Sequence, residues 1–165
     1  MPKKVYIETS IPSFYYEIRP EPVMVARREW TQVWWETQRS HYELVTGIPV
    51  LEELEQGNYP TKQLTLELLA DLPVLPLEEA IDDIVKEYIS RYIMPKHPLG
   101  DALHLALASY HRCQFLLTWN CTHLANANKF EHIRHVNHLL GLSVPIITTP
   151  VELLNNEEIV KDDER

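Results

Sequence analysis

The sequence predicts an α/β protein, a three-layer α/β/α sandwich around a parallel sheet of about five strands. Three observations carry this. Short apolar runs rich in β-branched and aromatic residues (VYI, ELVT, FLLT, PIIT) recur along the chain. Helix-period segments separate them, and strands joined through helices pair in parallel. Two of the runs end on a polar side chain, Glu8 and Asn120, and open parallel sheets bind ligands beyond the carboxyl ends of their strands.

Each element follows from local chemistry. Val5–Glu8 reads as the first strand, with no breaker in it. Thr9–Pro22 reads as a loop rich in Tyr and Pro. Val23–Ser40 reads as a helix, its stripe Val23, Ala26, Trp30, Val33 and Trp34 following the i, i+3, i+4, i+7 spacing. Tyr42–Thr46 is the second strand. Pro49 opens a helix over Val50–Gln56 that Gly57 stops, the usual placement of these two residues. Thr61–Asp71 is helical, Val74–Leu77 a short third strand, and Ala80–Tyr92 helical again. Pro98 suits the first position of a helix over Pro98–Arg112. Phe115–Thr118 is the fourth strand, Asn128–Leu140 a helix, and Pro145–Thr148 the fifth strand. Pro150 starts a last short helix.

The 165 residues make one domain, residues 1–154, with an acidic tail over Asn155–Arg165 that is expected to fray. A formal net charge of −9 argues against a general nucleic-acid coat protein, whose affinity rests on Lys and Arg. It leaves room for a nuclease whose cations supply positive charge locally. No apolar run approaches the roughly 20 residues that span a bilayer, and the N-terminus lacks a signal-peptide pattern, so no membrane and a cytoplasmic location are expected. Cys113 and Cys121 show no metal-ligand spacing and read as free, buried thiols.

The acids are the informative residues. Glu8 ends the first strand. Within Glu52, Glu53 and Glu55, the stripe Val50, Leu51, Leu54 turns Glu52 to solvent and leaves Glu53 or Glu55 to lean over the sheet edge. Asp101 lies in the first turn of a helix apolar on most sides (Leu103, Leu105, Ala106, Leu107, Ala108, Tyr110), where a charge needs a partner. Asn120 offers a neutral oxygen, and Thr9, Ser10 and Thr118 offer hydroxyls beside the same strand ends. Clustered carboxylates require a counter-cation, and oxygen ligands favour Mg²⁺ or Mn²⁺.

At these residues the chain resembles the PIN-domain family, in particular VapC-type toxins of toxin–antitoxin pairs. VYIETSIPSFYYE (Val5–Glu17), ELVTGIPVLEELEQG (Glu43–Gly57), GDALHLALA (Gly100–Ala108) and LLTWNCTHLAN (Leu116–Asn126) carry the resemblance. It implies a metal-dependent endoribonuclease acting on RNA phosphodiesters, with a cognate antitoxin and a homodimer as partners. The family's acids correspond to Glu8, Glu53 and Asp101 as metal ligands. The fourth, usually Asp, corresponds to Asn120, which orients a water or makes a weak metal contact. Glu8 is one methylene longer than the usual Asp, and Asn120 removes a charge. Three carboxylates suit one firmly held divalent ion. These departures also support an alternative, a PIN-like module with weakened or lost catalysis that binds RNA or protein.

Other features rank lower. His132, His135 and His138 step by three and drift about 60° each time, a poor alignment for zinc. His123 reads as a loop histidine. Trp35 and Met24 lie off the helix stripe, suited either to a dimer or antitoxin contact or to packing under the Tyr-rich loop. Arg19, Arg27, Arg28, Lys96, Lys129 and Arg134 are the available phosphate contacts. A phospho-receiver would need a Lys on the last strand, which PIITTP lacks.

Overall fold

A computed structural model describes residues 1–97 and 99–154. The strands are β1 (Lys3–Ile7), β2 (Tyr42–Gly47), β3 (Val74–Leu75), β4 (Phe115–Leu117) and β5 (Ile146–Thr148). They form one sheet in the order β3-β2-β1-β4-β5. Every pairing is parallel, with Val5 in register with both Leu44 and Phe115, and Leu116 with Ile147.

Helices α1 (Ser10–Tyr15) and α2 (Pro22–Gln38) join β1 to β2, and α3 (Ile48–Glu55) and α4 (Lys62–Leu69) join β2 to β3. The chain then crosses β1 through α5 (Glu79–Ser90) and α6 (Leu99–Tyr110) to reach β4, and α7 (Ala127–Leu139) returns it to β5. Right-handed crossovers running in opposite directions from β1 put these helices on opposite faces. The result is a three-layer α/β/α sandwich. The order reverses at β1, so a crevice opens between the carboxyl ends of β1 and β4.

The core is the sheet's own apolar residues and the faces turned to it. Val5, Tyr6, Ile7, Leu116 and Leu117 are fully buried. In α6 only Leu103 and Tyr110, among the residues from Asp101 onward, are less than buried, so the helix is enclosed on most sides as expected.

Two expectations fail. The segment after β1 is not all loop: Ser10–Tyr15 is helical, with Ile11 and Pro12 buried. Pro12 lies in the first turn, where its missing N–H has no intrahelical acceptor to lose. Of the apolar stripe expected for α2, Trp34 is buried, but Val23, Ala26, Trp30 and Val33 are exposed. Thr31, Trp34, Trp35 and Gln38 are buried, while Val23, Trp30 and Val33 are 58%, 40% and 46% exposed. Hydrogen bonds make the polar face burial-competent: Thr31 donates to the Arg27 carbonyl and accepts from the Trp119 indole, and Trp34 donates to the Leu153 carbonyl. Trp35 therefore packs under Tyr15, ring centroids 6.3 Å apart, and is closed to an antitoxin or a second subunit. The last short helix expected from Pro150 is described only through Leu154, where the Thr149 carbonyl accepts from Glu152 and Leu153 in one turn.

Smaller differences remain. Cys113 is buried, its thiol pushed up to about 12 by desolvation, but Cys121 is exposed. His132, His135 and His138 are all exposed. No helix among the described residues is long and apolar enough to cross a membrane. The opening role expected of Pro98 and the tail at 155–165 lie outside the described residues.

Candidate metal centre

Glu8 follows β1 directly and is 5% exposed. Its extra methylene lets the carboxylate fold back over the start of α1. Oε2 accepts the Ser10 backbone N–H at 3.0 Å, and Oε1 accepts the hydroxyls of Ser10 at 2.6 Å and Thr118 at 2.5 Å. Ser10 and Thr118 in turn accept the backbone N–H groups of Trp119 and Asn120, so the ends of β1 and β4 are tied through this one carboxylate.

Glu53 comes from α3, and of the three glutamates there it is the one turned inward. Glu52 and Glu55 are exposed, and Glu55 faces Lys62 at 3.9 Å. Glu53 Oε1 lies 2.8 Å from His104 Nε2. Burial raises the Glu53 carboxyl, but the His104 hydrogen bond and charge leave it below its ordinary value. His104 is 1% exposed and its Nδ1 lies 2.9 Å from the Tyr6 hydroxyl. Burial alone would lower the imidazole; the Glu53 hydrogen bond and the charges of Glu8, Glu53 and Asp101 raise it instead.

Asp101 is 7% exposed. Its Oδ1 accepts the Asn120 side-chain N–H at 2.9 Å, while Oδ2 is buried with no hydrogen-bond partner. Desolvation raises this carboxyl above its ordinary value; His123 and His104 oppose the rise, and Glu8 and Glu53 add to it. Asn120 uses its own Oδ1 to accept the N–H groups of Thr122 and His123, which fixes which way the amide points.

Glu8, Thr9, Ser10, Glu53, Asp101 and Asn120 line one cleft of about 410 Å³. The three acids named from sequence thus share a cleft, with Asn120 beside Asp101. Ligand atoms of Glu8, Glu53 and His104 lie within 4.8 Å of one another, and no other such group, Asp101 or the α7 histidines included, occurs among the described residues. A buried carboxylate oxygen without a donor, in a cleft holding two more carboxylates, fits a divalent cation.

The basic residues are mostly committed elsewhere. Arg19 lines the cleft but pairs with Glu17 at 2.7 Å, and its hydrogen bonds hold that carboxyl down at about 2. Arg27 sits over the rings of Phe14 and Trp119. Lys129 donates to the His123 carbonyl at 2.9 Å; burial lowers its ammonium, and the Asp101 charge partly offsets this.

Sequence comparison matches no protein-family model and no curated protein. The structure is similar to a chain in the crystal structure of VapBC2 from Rickettsia felis bound to a DNA fragment from their promoter. The identity is 14%, the TM-score 0.57, and the match covers 88% of this chain and 98% of that one. The fold is distantly PIN-like. At this identity the likeness concerns the fold alone.

Sequence reading missed four residues at or behind this cleft. His104 stands three after Asp101, a spacing that shares a helix face, and is the one ionisable group in LHLALA. Tyr6 gave no signal, since it reads as a strand aromatic. Gly47 and Gly100 are set by close approach: a Cβ on Gly47 would lie 2.7 Å from the Tyr6 hydroxyl, and one on Gly100 would run into Glu53 Oε1.

Proposed function

We propose that this protein is a metal-dependent endoribonuclease that hydrolyses RNA phosphodiester bonds with Mg²⁺ or Mn²⁺. We propose further that it is a cytoplasmic toxin restrained by a cognate antitoxin and working as a homodimer. One observation carries the reading above others: three carboxylates from separate parts of the chain line one cleft at the sheet's switch point, and Asp101 Oδ2 is buried there without a partner. Glu8, Glu53 and Asp101 are the residues to hold the cation.

A divalent cation in such a site polarises the phosphoryl oxygen and lowers the pKa of water. The chain's own residues do the rest. Ser10 and Thr118 hold the Glu8 carboxylate in one orientation. Asn120 engages one oxygen of Asp101 and leaves the other free. With Asn120 neutral, three carboxylates hold one cation firmly, and a second joins only with substrate phosphate.

The test is cleavage of a structured RNA. Activity requires Mn²⁺ or Mg²⁺, stops with EDTA, and falls about 100-fold or more in Asp101→Asn. Activity indifferent to EDTA and to Asp101→Asn overturns the proposal. Two equally tight Mn²⁺ sites in a titration count against the single-cation arrangement. Growth arrest on expression, relieved by the product of an adjacent reading frame, tests the toxin role.

A second reading has support of its own. Glu8 Oε1 is taken by two hydroxyls and Glu53 by His104. A module that has lost catalysis would keep such internally satisfied acids. It would bind RNA or protein without cleaving, with or without metal.

A further inference from the structure

We propose that His104 is a nitrogen ligand of the same cation, and that it makes the site prefer Mn²⁺, Fe²⁺ or Co²⁺ over Mg²⁺. The inference rests on the metal-dependent reading above and specifies its chemistry. His104 Nε2 lies 2.8 Å from Glu53 Oε1. At that distance the two atoms share either the proton of the hydrogen bond described above or a cation that takes its place. A ring nitrogen of His104 groups with oxygens of Glu8 and Glu53 within 4.8 Å, whereas Asp101 is not part of that group.

The ring is held as a ligand's ring is held. Ligating histidines engage their second nitrogen with a hydrogen-bond partner that fixes ring and tautomer. Here the Tyr6 hydroxyl lies 2.9 Å from Nδ1 and can accept its N–H, which frees the Nε2 lone pair on the side of Glu53. Gly47 leaves the room in which that hydroxyl stands. A second, independent observation that points to a cation ligand set is the buried Asp101 Oδ2, unpartnered in the same cleft on a side chain 7% exposed. Imidazole suits the later first-row ions, whereas Mg²⁺ keeps to oxygen and water.

Calorimetric titration of the full chain with Mn²⁺ and with Mg²⁺, and pulsed EPR of the Mn²⁺-loaded protein, test this. Wild type binds Mn²⁺ at least about tenfold more tightly than Mg²⁺. Its spectrum shows ¹⁴N coupling from a coordinated imidazole, which changes on labelling histidine with ¹⁵N. His104→Gln loses the coupling and brings the two affinities together. Tyr6→Phe, which keeps the tilted ring beside His104, lowers Mn²⁺ affinity more than Mg²⁺ affinity and tests the point should His104→Gln fail to fold. Mn²⁺ binding without ¹⁴N coupling overturns the inference alone and leaves His104 as a residue that orients Glu53. Failure of both cations to bind overturns the metal-dependent function itself.

Discussion

Asp101 shows the cost of preparing a cation site. A carboxylate buried with one oxygen unpaired is unfavourable, by about 1–3 kcal/mol for a buried group lacking its hydrogen bond. Asp101→Asn keeps an oxygen for the Asn120 N–H and removes the charge. It is expected to raise the stability of the metal-free protein by about 1–2 kcal/mol at neutral pH in denaturant melts. The sign has a pH signature. Because the folded carboxyl sits above its ordinary value of 3.8, the penalty is absent below that value and grows as pH rises through the folded pKa. The gap between wild type and variant should open over that window and stay constant above it. Gly100 is the complementary case. The obstacle to a Cβ there is the far end of the flexible Glu53 side chain. Gly100→Ala should thus change stability by no more than about 1 kcal/mol while lowering divalent-cation affinity at least about tenfold, read by calorimetry. Equal affinity in that variant would show that Glu53 is not a ligand.

At the scale of elements, two helices end in the same way without the residue that favours it. After α5, the Ile93 N–H reaches the Tyr88 carbonyl and the Tyr92 N–H the Ile89 carbonyl; after α6, Cys113 and Arg112 repeat the pattern onto Ala108 and Ser109. This is a Schellman ending, whose left-handed position usually holds glycine. Here Tyr92 and Arg112 hold it at φ 59° and 57°, whereas α7 ends on Gly141 at φ 70°. Tyr92 is 90% exposed, so its side chain packs against little. Tyr92→Gly should stabilise the fold by about 1 kcal/mol, a rise in Tm of about 2–4 °C for a chain of this size. An unchanged or lower Tm would assign the Tyr92 ring a contact outside this chain.

For the whole molecule, the sheet order decides where chemistry happens. Reversal at β1 gathers residues from the ends of β1 and β4 and from α3 and α6 into one cleft. Because the cation binds the assembled site and not the unfolded chain, Mn²⁺ at 100 times its Kd should stabilise the fold by about 2.7 kcal/mol. That is a Tm increase of about 5–10 °C, reversed by EDTA. No shift would mean that the acids are satisfied within the protein, as in the second reading. A second cavity, about 370 Å³ between α7 and β5, is lined by Phe130, Ile133, Ile146 and other residues with no carboxylate among them.

The sequence by itself determined the layering, the parallel sheet and the strand-end acids, because alternating apolar runs and helical spacing are local signals that tertiary packing rarely overrides. It named Glu8, Asp101 and Asn120 by position, but left Glu53 and Glu55 equivalent until resemblance chose between them. Only the tertiary structure decided the buried face of α2, since Thr31 and Gln38 go inside on hydrogen bonds that hydropathy does not register. Only the fold joined Tyr6, His104 and Glu53, whose contacts span 98 and 51 positions of sequence, and no local pattern encodes a meeting at that separation.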